Sequence, residues 1–447
     1  MSVHCKPAQR GQALPLAMAM LVAVAATVFF MFNSGQLVQE KIRLTNTADA
    51  VAYSAGVFEA RVLNYDAYTN RAIIANEIAI GQAVGLASWA QYAGVTADRI
   101  APYMYLIPYA GPAIAAALEK VESAMEMYTP ALAASVSVHD AAINGLALSQ
   151  LAVHGPGNAI VLASRKVVMD EVALRNDPDA KVDVLPIADD FFGFTQRYAS
   201  QEERKRMGQL VHDGRDAFLK SRNWDFDDLV FKIGKCRYGI ALRKRGSTEL
   251  IDLTEGWKSM DTLSFHKYWS KWLRCRHSET PVGYGSAFSD DDLDDSAYTY
   301  AGSYTTNPQA SYMAETSVAS GFAPSTLTGG AIPAYHELSK DALKMDDPRT
   351  TLAVRVSKSG TKQRFSGGNS IIKPAGTLDL YQGALAGNES AAVARVEVFF
   401  ERPDGSNPLF AKQENGSLFN PYWQAHLAPV SAGQRALAQL KQGLHLP

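Results

Sequence analysis

The chain has 447 residues, a formal net charge of −2 and 10% aromatic residues. That length can bury two or three cores, and the aromatic content excludes wholesale disorder. The near balance of charge removes any bulk electrostatic argument for nucleic acid as a partner.

Gly11 to Gln39 carries no charged residue, and its centre, Leu14 to Phe32, reads LPLAMAMLVAVAATVFFMF. A bilayer core is about 30 Å thick, so a helix rising 1.5 Å per residue needs about 20 apolar residues to cross it. Residues 13–33 meet that length. Pro15 sits at the start of the run, where its missing N–H costs little. Lys6 and Arg10 precede the run and no acid occurs before Glu40. The positive-inside rule therefore leaves residues 1–12 in the cytoplasm and sends the rest outward. Lys41 and Arg43 pull the other way, with Glu40 offsetting one of them. The competing readings are a cleaved secretory signal and a buried core helix. Ala23-Val24-Ala25 has the form of a cleavage site but lies in mid-run, whereas a signal's apolar region is shorter. A buried core helix stays open as an alternative, but this run is apolar all round. The lipid bilayer is thus the first expected partner.

The helical pattern does not stop at the membrane. Leu44, Ala48, Val51, Ala55, Phe58, Val62 and Tyr65 step by four and three alternately, and the register continues through Thr69, Ala72, Asn76, Ala79, Ala83, Leu86 and Ala90. A 3.5-residue period is the seam of a coiled coil or of a long packed hairpin. No proline falls between Pro15 and Pro102, so a near-continuous helix to about Tyr92 is expected. The many alanines require a closely approaching partner. Glu59, Arg61, Asp66 and Arg71 lie off the seam and read as a solvated face. Gly81 and Gly85 form a Gly-x-x-x-Gly pair, read either as a tightly packed soluble helix or as a second span. Asn76, Glu77, Gln82 and Gln91 weigh against the second. Pro102 to Pro112 makes a turn region. A helix follows with the same spacing, restarting or kinking at Thr129-Pro130. Gly155-Pro156-Gly157 breaks the chain, and 158–176 is another helix. Residues 34–180 are thus expected to form an antiparallel hairpin or bundle, a stalk that also offers a surface for a homo-oligomer.

From about Val182 alanine thins out and aromatics and charges increase. Residues 200–222 read as an amphipathic helix. Strand-like runs follow at 238–244, 249–253, 352–356 and 392–400, the first two joined as a hairpin by Gly246-Ser247. Segment 283–330 is expected to hold long loops, and 333–343 a short helix. Residues 181–430 form the mixed α/β part, and 431–447 a terminal helix and tail. The fold class is α+β.

Candidate chemistry is sparse. Asp290, Asp292 and Asp294 belong to the densest acidic cluster and are the one calcium candidate. They lack the EF-hand order, and a solvated acidic loop explains them as well. Lys232 to Arg245 and Lys267 to Arg276 are basic and interleaved with Tyr268, Trp269 and Trp272. This reads as an ordinary half-buried hairpin, as a docking face for an acidic partner, or as a stacking surface for single strands; a location outside the membrane makes nucleic acid the poorest of these. Cys236 and Cys275 would lie where disulfides persist and are expected to pair, against two unrelated buried thiols. Neither sits in a zinc-like spacing. No metalloprotease, nucleophile-elbow, Walker or dinucleotide motif occurs, so no catalytic residue and no cofactor is nominated.

The N-terminal segment resembles a known family. Arg10-Gly11-Gln12-Ala13-Leu14 before the apolar helix, and Leu44-Thr45-Asn46-Thr47-Ala48-Asp49-Ala50-Val51-Ala52-Tyr53-Ser54-Ala55-Gly56 after it, resemble the N-terminal module of TadG-like proteins of the tight-adherence (Tad/Flp) pilus systems. The resemblance implies a single-pass bacterial inner-membrane protein with its bulk in the periplasm, and other pilus or secretion-system proteins as partners. It also points to Gly11 and Gln12 as a processing site. However, Leu16 stands where pilins carry Glu, which argues for a retained anchor. The Asp-x-Ser-x-Ser motif of the family's von Willebrand A-type domain is absent. The reading is a structural or assembly component acting through protein–protein contacts. The alternative is a membrane-anchored periplasmic enzyme or ligand-binding module with its site near 283–330.

Overall fold

The computed structural model describes residues 13–272, 274–290, 302–319, 321–363, 389–402 and 415–443. In chain order, helix α1 spans Ala13–Met104, α2 Gly111–His154 and α3 Ala159–Asn176. Strands β1 (Ala180–Asp189) and β2 (Thr195–Tyr198) precede the short helices α4 (Gln201–Asp213) and α5 (Ala217–Lys220). Strands β3 (Trp224–Phe226), β4 (Val230–Ile233), β5 (Cys236–Leu250), β6 (Trp257–Lys271) and β7 (Arg274–Phe288) follow. Then come α6 (Ser303–Thr306), α7 (Pro308–Thr316), β8 (Tyr335–Leu338), β9 (Arg349–Ser359), β10 (Glu389–Phe400), β11 (Trp423–Ala428) and α8 (Ala432–Gly443). The mixed α+β class expected from the sequence is what is found. The described chain forms two compact units: residues 1–65, 154–196 and 338–447 in the first, and 66–153 and 197–337 in the second.

The first unit is built on the antiparallel sheet β1-β9-β10-β11. Strand β10 alternates as its sequence requires, with Ala392, Ala394, Val396 and Val398 buried. On that face lie Leu44, Ala48, Val51 and Ala55 of α1, with Met169 and Ala173 of α3. The seam read from the sequence therefore packs onto a sheet. Its small residues are what let the helix axis come close: a Cβ on Gly56 would stand 2.4 Å from Val396 Cγ2. The other face of the sheet, at Leu185, Ala353 and Val393, receives Ala438 of α8. Asn64 donates from Nδ2 to the Trp423 carbonyl (2.9 Å) and accepts from its N–H (3.0 Å), satisfying the start of β11.

The second unit contains the sheet β3-β5-β6-β7, with β4 also paired to β5. The later part of α1 lies on it. A Cβ on Gly81 would stand 2.8 Å from the Trp257 ring, and one on Gly85 2.7 Å from Thr248 Oγ1. The Gly-x-x-x-Gly pair thus serves helix-on-sheet packing. Gly283 and Gly285, expected in loops, instead continue β7. A Cβ on Gly285 would fall 2.3 Å from the Ser88 carbonyl of the passing helix.

Other local expectations also differ from the structure, beginning with the single helix at 200–222, which breaks at Gly214 into α4 and α5. Gly246-Ser247 is no turn: both lie inside β5, opposite Asp261 and Met260. The glycine is there because a Cβ would sit 2.2 Å from Asp261 Oδ1. Helix α2 runs on through Thr129-Pro130; Thr129 Oγ1 donates back to the Met125 carbonyl (3.0 Å) and caps no new helix. The 333–343 segment is a fully buried strand followed by a short 3-10 turn. At His336 its backbone is completed by side-chain amides: Asn70 Nδ2 donates to the carbonyl (2.8 Å), and the N–H donates to Gln150 Oε1 (3.1 Å). Finally, Arg61 and Arg71 are exposed, but Glu59 and Asp66 are fully buried.

Candidate functional site

Two features stand out: the N-terminal helix, and one end of the second unit. Along the apolar run of α1 the large side chains are exposed, from Leu14 (71%) through Leu21 (71%) to Met31 (67%). Its best window has a mean hydropathy of 2.3 and no part buried within the fold. It is long and apolar enough to cross a membrane. The stretch 111–176 passes the same length test at 1.3. However, α2 is tied into the second unit by polar contacts. The fully buried Asp140 accepts from the Leu327 N–H (2.5 Å), the Gly330 N–H (3.3 Å) and the Thr328 hydroxyl, and Gln150 Nε2 donates to Asn70 Oδ1 (2.8 Å).

Just past the apolar run, α1 becomes a charge-paired core helix. Arg165 of α3 donates to Glu59 Oε1 (2.5 Å) and pairs with both oxygens of Asp189. Burial pushes the Glu59 carboxyl up to about 7, opposed by Arg165. Lys358 of β9 donates to Asp177 (2.8 Å) and Glu40 (3.3 Å). Burial works against the charged Asp177, but Lys358, the Asp179 N–H and Arg43 together hold its carboxyl below the usual range.

In the second unit a charged cluster sits between α1 and the sheet. Asp261 is fully buried and accepts from Arg222 Nε (2.8 Å) and Nη2 (2.8 Å), Lys244 Nζ (2.5 Å) and Ser88 Oγ (2.8 Å). Burial alone would raise this carboxyl, but the two cations hold it below its ordinary value. Nearby, Trp257 Nε1 donates to Glu77 Oε2 (3.1 Å). Glu77 is fully buried, and burial pushes it up to about 8, with Asp140 adding to the rise. Its folded value lies above the unfolded one, so its contribution is full below about pH 4.5 and is lost as pH rises through about 8, with a slope of up to about 1.4 kcal/mol per pH unit. Glu77→Gln keeps an acceptor for Trp257 and removes the titration. Its melting temperature should gain on the wild type progressively from pH 5 to 8; parallel curves would count against this.

At the far end of the same sheet two hairpin turns lie side by side. Ile233 and Cys236 pair where β4 returns into β5, and Lys271 and Arg274 pair where β6 returns into β7. A disulfide joins Cys236 to Cys275, 39 residues apart, with 5.1 Å between their Cα atoms. It ties the two turns together. Lys232, Lys235 and Arg237 on one hairpin, and Lys267, Lys271, Arg274 and Arg276 on the other, are all exposed. Phe231 (57%), Ile233 (61%) and Trp272 (89%) are exposed among them. No carboxylate occurs in 229–245 or 267–276. Arg243 and Arg245, nearer the middle of the sheet, are paired to Asp227 and Asp225. The half-buried reading of this hairpin thus fits its middle and fails at its tip.

One comparison bears on the N-terminal feature. Residues 11–60 match the family model described as "Putative Flp pilus-assembly TadE/G-like". The chain carries a TadE/G-like N-terminal module. No curated protein and no solved structure shows significant similarity to the chain. The module takes in the apolar run and the Leu44–Ala55 seam that packs on the first unit's sheet. The Tad/Flp match supports a role related to pilus assembly and a structural rather than enzymatic one.

Gly11 and Gln12 lie outside the described residues, as do Asp292 and Asp294. Asp290 accepts from Thr326 Oγ1 (2.7 Å) and lies against Gly329. Among the described residues no three His, Cys, Asp or Glu side chains are grouped to hold a metal. Sequence reasoning missed the Asp261 cluster, because Arg222, Lys244 and Asp261 have no motif spacing. It also missed the uncharged stretch between Arg99 and Glu119 as an exposed tip.

Proposed function

We propose that this chain is a membrane-anchored structural or assembly component of a Flp-type (Tad) pilus or secretion system, acting through protein–protein contacts. The observation that carries the reading is the coincidence of three things in 11–60: the family match, an unburied apolar run of spanning length, and a seam that fixes the following helix to a folded unit. The apolar run crosses the bacterial inner membrane once. Lys6 and Arg10 keep the N-terminus in the cytoplasm, and the bulk of the chain folds in the periplasm, where the Cys236–Cys275 disulfide is stable. Leu16, in place of a pilin-type Glu, supports a retained anchor over a processed subunit. Exposed apolar positions on α2, such as Val138 (67%) and Leu148 (56%), offer a surface for self-association.

The reading is tested by placing a photo-crosslinking residue at Tyr53 or Tyr68, both exposed on α1 (48% and 62%). In cells of the source organism, adducts with other Flp pilus-assembly proteins or with a second copy are expected. Their absence, with the protein present at normal levels in membranes, would refute it.

A further inference from the structure

The basic hairpin end of the second unit has a neighbour. Between Arg99 and Glu119 the chain contains no charged residue. This stretch forms the turn from α1 to α2, and Tyr103 (68%), Tyr105 (54%), Leu106 (79%) and Tyr109 (103%) are exposed on it. Successive contacts set its direction. Ser88 meets the Gly285 carbonyl (3.1 Å), Thr96 lies against Gly283, and Arg99 Nη1 donates to the Pro281 carbonyl (2.7 Å). Helix α1 thus advances along β7 toward the β6–β7 turn. The uncharged aromatic turn and the disulfide-tied basic turns therefore lie at the same end of one unit. Each tip holds a non-glycine residue in the left-handed region, Tyr109 at φ 65° and Trp272 at φ 53°. Such backbone is strained, and it holds a large ring outward.

We propose that this end of the second unit is a contact surface for an anionic phospholipid bilayer. The tyrosines, Leu106 and Trp272 enter the headgroup layer, and the exposed lysines and arginines of the hairpins meet lipid phosphates. The composition favours lipid over an acidic protein. Protein interface cores are depleted in lysine. Protruding tips with Tyr and Trp beside Lys and Arg match the amphipathic aromatic and cationic make-up of membrane interfaces; the two hairpin stretches hold no carboxylate, and at the aromatic turn Tyr105 donates to Glu119 Oε1 (3.5 Å). The inference stands apart from the pilus assignment, which concerns residues 11–60.

The test uses the full chain held in nanodiscs of phosphatidylcholine, so that the second unit is free to meet added vesicles. The nanodiscs should co-float with phosphatidylglycerol-containing vesicles and not with phosphatidylcholine vesicles, and salt should weaken the association. K271E/R274E/R276E should lower the apparent partition coefficient by at least about tenfold. Y105S/L106S should lower it without changing the salt dependence. Both variants alter exposed positions, so an unchanged melting temperature and an intact disulfide serve as controls for folding. Equal binding to both vesicle types, binding to polyglutamate with none to either vesicle, no binding at all, or wild-type partitioning by the charge variant would each overturn the proposal.

Discussion

Asp261→Ala is expected to destabilise the second unit by about 3–5 kcal/mol. Arg222 and Lys244 both point at this carboxylate, with side-chain exposures of 6% and 3%. Removing it leaves two buried cations with no counter-charge. Tyr92, whose ring centroid lies 4.3 Å from Lys244 Nζ, offers only its ring face. The loss is large against the ordinary stability of a domain, about 5–15 kcal/mol. Asp261→Asn keeps the shape and the Ser88 contact but still strands the cations, so it should lie close to the alanine variant. Denaturant unfolding of the detergent-solubilised chain, followed by intrinsic tryptophan fluorescence, to which the buried Trp257 contributes, measures this. A shift equivalent to less than about 1 kcal/mol would mean that the cluster is solvated. Replacing Gly246 by alanine should act in the same direction, since the added methyl would displace the carboxylate.

Leu21→Arg combined with Val24→Arg is expected to release the chain from membranes. Each change moves a residue at the centre of the apolar run from mildly favourable to about 2.5–3.5 kcal/mol unfavourable for insertion, so the pair costs about 6 kcal/mol. Both side chains are exposed, at 71% and 62%. Neither substitution touches the packing of either unit, so loss of insertion is separable from loss of folding. Carbonate-washed membranes should retain the wild type, and the double variant should move to the soluble fraction with an unchanged melting temperature. Retention of both proteins would show that the run is not the anchor.

Much of the helical layout was legible in the sequence because helix signals are local. The 3.5-residue seam, the Gly155-Pro156-Gly157 break and the terminal helix each depend on a handful of neighbouring residues, and the alternation of β10 is equally local. What the seam packs against was not legible. Leu44, Ala48, Val51 and Ala55 would suit a helix or a sheet, and the choice was made by Val354, Val356 and Val396, some three hundred residues away. The same remoteness hid the role of the glycines. Gly246 looked like a turn because the residue that needs its missing Cβ, Asp261, belongs to the next strand. Tyr335 to Leu338 read as a helix because Asn70 and Gln150, which satisfy the backbone at His336, come from other elements. Of the candidate site, the basic and aromatic residues of the hairpins were visible one by one. Their meeting at a single end is a product of the β4–β7 register and of the direction of α1.

The side of the membrane on which the folded bulk lies decides the assignment most directly. The measurement is alkaline phosphatase activity of a fusion after Pro447 in cells producing the full chain, with a green fluorescent protein fusion at the same point as its converse. The expected result is an active phosphatase, no fluorescence and an oxidised Cys236–Cys275 pair. An inactive phosphatase with a fluorescent partner fusion and reduced cysteines would place the two units in the cytoplasm and contradict the account.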